Sequence, residues 1–330
     1  MANNSFLPTW LPVNDTFEGI PLQSIHPFRI FQAAAYAIIG SVTILASLAT
    51  IAIIIQNLRL RKNQDFLDGE QQKISNVIMI SMFVADIIFS IGYLFPRFVI
   101  PASYNNNVYC SLVSSIAPTI ITIINLSLMA ISIDTLDCII NPFHLRFRTN
   151  SKRIGLLISI GIWIIAVLVG ITPFIVSFRP INQDYCIPMN IDEFEKEQAY
   201  FLSVIGISFL LPLIVMIYCY TRIFMRIRRS NFNDKIKRKT AKVLSVFVSI
   251  YFVMWLPFVI CLILNAIYRP VQLAEKFPQF GMVVAISQLI AFSYPAINPI
   301  LYGYYVPSVR RFMVFVGNKI LSKLFYWRRN

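Results

Sequence analysis

Long apolar runs alternate along this chain with short polar, mostly basic ones. The runs cover about Phe28–Gln56, Ser75–Val99, Val108–Ile140, Ile154–Phe178, Ala199–Met225, Val243–Ile267 and Phe280–Tyr305. Each exceeds the roughly 20 helical residues needed to cross a hydrocarbon layer, with margin for tilt. The pattern therefore predicts seven membrane-spanning helices. The third run is the longest and holds the most polar positions, which predicts a central helix shielded from lipid. Residues 309–325 are too basic and too interrupted to span. There Val309, Phe312, Met313, Val316, Ile320 and Leu324 share one helical face, with Arg310, Arg311, Lys319 and Lys323 around the other. That arrangement predicts an amphipathic helix lying on an anionic inner leaflet. The expected architecture is an all-α membrane protein, a seven-transmembrane helix bundle with a short cytoplasmic amphipathic helix. It divides into an N-terminal tail (1–27), the bundle (28–305) and a cytoplasmic tail (306–330).

Composition agrees with this class. Of 330 residues, 57% are hydrophobic and only 13% charged, more apolar surface than one soluble core consumes. Most of the 29 Lys and Arg lie in alternate loops, from Arg59–Lys73, through Arg146–Arg153 and Arg222–Lys242, to the tail. By the positive-inside rule those loops are cytoplasmic and the N-terminus is outside. The net charge of +14 is thereby explained at the membrane, and nucleic acid is not an expected partner. Asn3 and Asn14 each open an Asn-x-Ser/Thr acceptor in the outer tail, predicting N-glycosylation.

Polar residues inside the runs carry the chemistry. Asp86, in Phe83-Val84-Ala85-Asp86, is the one carboxylate deep within a run, and an intramembrane carboxylate is a functional-site candidate by default. The seventh run contains Asn298-Pro299-Ile300-Leu301-Tyr302. Pro removes a helix hydrogen bond, and Asn must find a polar partner where there is no water. The sixth contains Tyr251-Phe252-Val253-Met254-Trp255-Leu256-Pro257, with a bulky indole at a point where the helix is free to hinge. Trp163 and Pro173 mark the fourth, Pro212 and Tyr220 the fifth. Of the five cysteines, Cys110 and Cys186 fall on the oxidising side, whereas Cys138, Cys219 and Cys261 read as small buried apolar residues.

In this order the marks resemble the rhodopsin-like G-protein-coupled receptors, over nearly the whole chain. The resemblance implies a disulfide between Cys110 and Cys186. It makes Trp255, Pro257, Tyr251, Pro212, Tyr220, Asn298, Pro299 and Tyr302 an activation switch. It makes Asp86, with Ser47 and Asn298, part of a pocket for a sodium ion, although the third-run position that often adds a Ser is Ile124. A protonated Asp86 bonded to neighbouring helices is the alternative. Ser47 also stands where the family has Asn, in Ile44-Leu45-Ala46-Ser47-Leu48.

One departure is larger. Asp134-Thr135-Leu136 occupies the place of Asp-Arg-Tyr, so the arginine that meets the G protein is Thr135 here, and Thr has neither its charge nor its reach. Lys237 likewise stands where an acidic residue often locks that arginine. Pro142 and Phe143, in the second inner loop, are kept. Two readings follow: coupling through other contacts, or signalling that is weak or bypasses G proteins.

The implied function is a plasma-membrane receptor that passes ligand binding to heterotrimeric G proteins and arrestin by outward movement of the sixth helix. The run Phe280–Tyr305 has no Lys for a retinal Schiff base, and Ser111–Thr122 has no acid for an amine. Asp184, Asp192, Glu193, Glu195 and Glu197 are either a solvated acidic loop or a surface that steers a basic peptide. Arg97 could instead pair with an anionic group of the ligand. A neuropeptide-like ligand is the first expectation and a chemosensory one the second. A channel or transporter usually shows several intramembrane charges or inverted repeats, and neither is seen. An enzyme is not expected, since His26 and His144 lie outside the runs.

Overall fold

The computed structural model describes residues 22–60, 66–99, 107–140, 151–175, 179–182, 185–187, 194–229, 235–268 and 277–305. Seven helices long and apolar enough to cross a membrane lie at Ile30–Gln56, Ile74–Pro96, Ser115–Ile140, Ser151–Ile171, Leu202–Arg228, Ser245–Ile267 and Phe280–Tyr302. They coincide with the seven apolar runs. The first helix begins at Leu22, ahead of the apolar stretch that opens at Phe28. The amphipathic segment, Asn3, Asn14, Pro142, Phe143, Asp184, Asp192 and Glu193 lie outside the described residues.

The third helix, Asn107–Ile140, is the axis of the bundle and packs against the second, fourth, fifth and sixth. Over its span 56% of residues are buried, against 28% for the fourth, which confirms the central position expected from its polar content. The first helix closes the ring by packing against the second and seventh. Leu45, Leu157, Ile214 and Val253 are among the large apolar side chains left on the outside. A soluble protein would aggregate through such a surface, but hydrocarbon matches it at no cost. Exposed hydroxyls on the spans return to their own backbone: Ser41 donates to Ala37 O at 2.8 Å, Thr221 to Ile217 O at 2.7 Å and Ser249 to Ser245 O at 2.8 Å. A lipid-facing Ser or Thr has no other acceptor to use.

Three departures from regular α geometry each have a proline in or next to them, whereas Pro118, Pro257 and Pro299 lie within regular α-helix. The second widens into a π-helix over Ser90–Val99, with Pro96 inside it. The fifth runs from Phe194–Ile205 through a π-turn at Gly206–Leu210 into Leu211–Arg229. Pro212 stands just after that turn and cannot donate to the carbonyl of Ser208, four residues back. The seventh consists of Phe280–Phe292 and Tyr294–Tyr305, broken at Ser293. Pro295, lacking an N–H, explains the break.

Between the fourth and fifth helices lies one hairpin, β1 (Arg179–Asn182) paired antiparallel with β2 (Tyr185–Ile187), with Pro180 opposite Cys186. Both strands pack against the third helix.

The fourth helix meets the third through a glycine. A Cβ on Gly170 would overlap Thr119 Oγ1 and come within 3.0 Å of the Ser115 carbonyl oxygen. Gly170→Ala should therefore lower the thermal unfolding temperature of purified protein by an amount equivalent to about 1–3 kcal/mol, the usual cost of overpacking. An unchanged midpoint would mean that the two helices separate freely there.

Candidate functional site

Asp86 is fully buried and holds the second helix to the seventh. Asn298 Nδ2 donates to its Oδ2 at 3.3 Å, and the Tyr294 hydroxyl donates to Asn298 Oδ1 at 3.5 Å. Asn298 thus meets the demand of an amide in lipid by bridging a carboxylate and a phenol. The Ser90 hydroxyl donates to the Asp86 backbone carbonyl at 3.0 Å. Asp86 Oδ1 and the hydroxyl of fully buried Ser47 have no hydrogen-bond partner among the described residues. Both are oxygens, the ligand type that a hard cation takes. Asn298 Oδ1 is already engaged and Ile124 offers no donor.

Above this network the bundle is filled with rings. Phe292 on the seventh helix touches Tyr36 of the first (6.2 Å between centroids) and Phe89 and Tyr93 of the second (5.2 and 5.8 Å). It also touches Trp255 and Phe258 of the sixth, at 5.9 and 5.6 Å. Tyr36 stacks on Phe98, near the outer end of the second helix, at 4.1 Å. Trp255 stacks on Tyr251 at 5.7 Å, and Tyr251 meets Tyr294 edge-on at 4.8 Å. An unbroken aromatic path therefore runs from Phe98 to the residue that holds Asn298. Trp255 is 1% exposed, so its indole does not face lipid.

The inner half is polar at a few points. Tyr302 donates to Asn76 Oδ1 at 3.0 Å and packs edge-on against Phe83. The Ser132 hydroxyl donates to Tyr220 OH at 3.3 Å. Tyr220, Tyr302, Asn298, Leu128, Ile131 and Phe247 are among the residues around a void of about 10 Å³, the lower bound for one water molecule. Between the second and third helices, Asp134 Oδ2 accepts from Ser75 at 3.2 Å. Thr135 is 1% exposed, and its hydroxyl folds back onto Ile131 O at 2.7 Å. The position where the family pattern has Arg is thus a satisfied hydroxyl turned into its own helix. Leu136 is half-buried at the same core.

The structure brings Asp86 and Asn298 together, and joins Trp255 to Tyr251. It puts Tyr220 and Tyr302 around one void, with Pro212 just after the π-turn of the fifth helix and Pro257 inside the continuous sixth helix Lys235–Ile267. The backbone places Cys110 on the third helix and Cys186 on β2, which packs against that helix; their side chains, like those of Arg97, Lys237, Glu195 and Glu197, lie outside the described residues. Sequence reasoning missed Tyr294, Ser75, Asn76 and Asn125. The signal for Asn125 was present, since an amide in the middle of a span needs a partner as much as Asn298 does.

Comparison with known proteins agrees with this arrangement. Residues 66–302 match the family of seven-transmembrane receptors of the rhodopsin type. CX3C chemokine receptor 1 of Homo sapiens is 28% identical over 183 residues, 52% of this chain and 48% of the relative. C-C chemokine receptor type 3 of Cavia porcellus is 27% identical over 179 residues, 52% of this chain and 49% of the relative. In these matches the chain spans about half the relative's length. With C-C chemokine receptor type 3 of Macaca mulatta the match is 22% over 295 residues, 86% of this chain and 78% of the relative. The family consists of receptors rather than enzymes. The marks quoted from the sequence, the seven-span bundle and the match over residues 66–302 converge: this chain belongs to the rhodopsin family of seven-transmembrane receptors.

Proposed function

We propose that this chain is a plasma-membrane receptor with its N-terminus outside, and that it binds a polypeptide ligand. Binding is transmitted by outward movement of the sixth helix to a cytoplasmic G protein, with arrestin as a second partner. The aromatic path carries this reading. It links Phe98, at the outer end of the second helix, to Trp255 beside the Pro257 hinge, and then to the Asn298–Asp86 bond. A push at the outer end displaces rings already in van der Waals contact, and packed rings pass on a displacement rather than absorb it. The relatives bear the name chemokine receptor, which favours a chemokine-like polypeptide over a neuropeptide. A screen of secreted polypeptides on cells expressing the chain, read for both G-protein activation and arrestin recruitment, tests the proposal. Ligand-evoked ion current or substrate flux without either response would replace it with a channel or transporter.

A second reading has its own support. With Thr135 buried against its own helix, the chain lacks the guanidinium that the family presents to the G protein. A receptor that binds ligand but couples weakly is consistent with that geometry.

Asp86 Oδ1 and Ser47 Oγ would be the protein ligands of a sodium ion, with Tyr294 keeping Asn298 in place. An ion bound there supplies the charge that a buried carboxylate otherwise lacks. Sodium chloride should then raise the unfolding temperature of the wild-type protein above that in potassium chloride, because a ligand of the folded state stabilises it by mass action. Asp86→Asn keeps the size and should remove the difference. Equal responses of both proteins would leave Asp86 a purely structural link between the second and seventh helices.

A further inference from the structure

The third helix is the buried axis of the bundle, yet Ile133, near its basic end, is 46% exposed. The residues on either side of it fix the direction in which it points. Ser132 bonds to Tyr220 of the fifth helix, and Asp134 accepts from Ser75 of the second. At about 100° per residue, Ile133 points between those two helices, into the sector of the fourth. Thr119, about four turns earlier on the same side of the third helix, meets Gly170 of the fourth there. Nearer the basic end the fourth helix lies close on the second. A Cβ on Gly155 would come within 3.1 Å of Val77 Cβ and 3.3 Å of the Ile74 backbone. The fourth and fifth helices both pack on the third and make little contact with each other. A groove open to lipid therefore lies between them, with Ile133 on its floor.

The fifth helix forms one wall of this groove. Phe209 turns toward the sixth helix, where it meets Tyr251 and Phe252. Tyr218 follows about two and a half turns later and points the opposite way, toward the fourth. It is 58% exposed, and Ile214, one turn before it on the same face, is 64% exposed. Arg222, one turn after it, is exposed as well. Each step is about 6 Å, so an apolar patch, a phenol and a guanidinium succeed one another toward the membrane surface. The span ends at Arg228. Arg222 stands about 9 Å short of that point, at the depth of lipid phosphates. Neither Tyr218 nor Arg222 has a side-chain partner among the described residues. Asp137, an acid one turn beyond Ile133 on the third helix, is already engaged. A guanidinium that faces lipid is costly unless it meets a counter-charge.

We propose that this groove binds one anionic phospholipid from the leaflet at the basic ends of the helices, with its phosphate on Arg222 and the Tyr218 hydroxyl and an acyl chain over Ile214 and Ile133. Charge selects the occupant. A guanidinium matches a phosphate with two parallel hydrogen bonds, and a sterol has no group to receive them. A zwitterionic lipid carries its own cation, which competes with Arg222 for the phosphate; an anionic headgroup leaves a net negative charge for it. Asp137 repels phosphate from the floor, which leaves the headgroup on the fifth-helix wall. The acyl chain covers apolar surface that reaches the central helix. This assignment needs only the membrane-spanning bundle and is independent of the receptor's ligand and of its G protein.

The test uses full-length protein in phosphatidylcholine nanodiscs that contain a small share of phosphatidylserine with a photoactivatable acyl chain. After irradiation and digestion, adducts should concentrate on the peptides that carry Ile133 and Ile214–Arg222. Unlabelled phosphatidylserine should displace them, whereas added phosphatidylcholine or cholesterol should not. Arg222→Gln should reduce these adducts about fivefold, the effect of one basic residue at an anionic surface. Arg228→Gln removes an equal charge from an exposed position on another side of the same helix and should change little. Tyr218→Phe removes only a hydroxyl and should reduce the adducts by a smaller factor. Both groove side chains are exposed, so each variant should unfold at the wild-type temperature in phosphatidylcholine alone. Adducts spread evenly over the lipid-facing helices would overturn the proposal. So would labelling undiminished in Arg222→Gln, or equal losses in the two arginine variants, which would reduce the effect to general surface charge. Displacement by cholesterol would make the groove a sterol site instead.

Discussion

Replacing Thr135 with Arg should raise receptor-stimulated nucleotide exchange on a G protein by about fivefold or more. The Thr135 hydroxyl bonds to its own helix, at Ile131 O, and the side chain is buried. Nothing charged at position 135 reaches the cavity that opens when the sixth helix moves out. An arginine there would supply planar, always-charged donors at the place where the family pattern puts them. In a dry, crowded interface a charged hydrogen bond is commonly worth about 2–5 kcal/mol. The same arginine would also compete with Ser75 for Asp134 at rest, which restrains the inactive state. That restraint is nearer to water and worth less, about 1 kcal/mol or under, so the interface contribution decides the sign. Ligand affinity without G protein should hardly change. A wild-type protein that drives exchange as fast as Thr135→Arg would show that coupling proceeds through contacts other than this one.

Loss of either outer cysteine should remove most of the protein from the cell surface. β2, which carries Cys186, packs against the third helix, whose first turns carry Cys110. We propose that the two are bonded. Closing a loop of that length stabilises the fold by about 4 kcal/mol in the chain-entropy account. The hairpin alone is too short to hold itself in place. Cys110→Ser, Cys186→Ser and the double variant should all fall to the same low surface level, since removing the second thiol of a broken bond costs nothing more. Losses that add, or both thiols found free by non-reducing mass spectrometry, would mean that the hairpin is held by packing alone.

The spans themselves were legible because hydropathy over 20 residues is a one-dimensional signal, and each run contains enough of it. The central place of the third helix was legible from its polar content. The partnership of Asp86 with Asn298 came only through the family resemblance; the residues alone said that each needs a polar partner, not which one. The missed residues share a cause. Tyr294, Ser75, Asn76 and Asn125 matter through partners on other helices, and choosing those partners requires knowing how each helix is rotated about its axis. A run that is apolar on all sides gives no face to read. Pro212 denies the Ser208 carbonyl its α-helical donor, but only the assembled bundle shows that Asn125 of the third helix donates to that carbonyl. The hairpin between the fourth and fifth helices was likewise hidden, because Arg179–Ile187 shows no alternation of polar and apolar residues over enough length to stand out.

The environment of Trp255 gives this protein a spectroscopic handle. Its indole is enclosed by Tyr251, Phe258 and Phe292, and its ring N–H is unbonded among the described residues. Trp163 instead donates to Ser81 Oγ at 2.7 Å and packs at the edge of the core. The chain has four tryptophans, and the other two, Trp10 and Trp327, lie near its ends. A protein keeping only Trp255 would emit from an apolar, water-free site. Its emission would shift to longer wavelength as soon as the sixth helix admitted water to that site. The hinge would then report its own opening by light, with no label attached and no ligand yet identified.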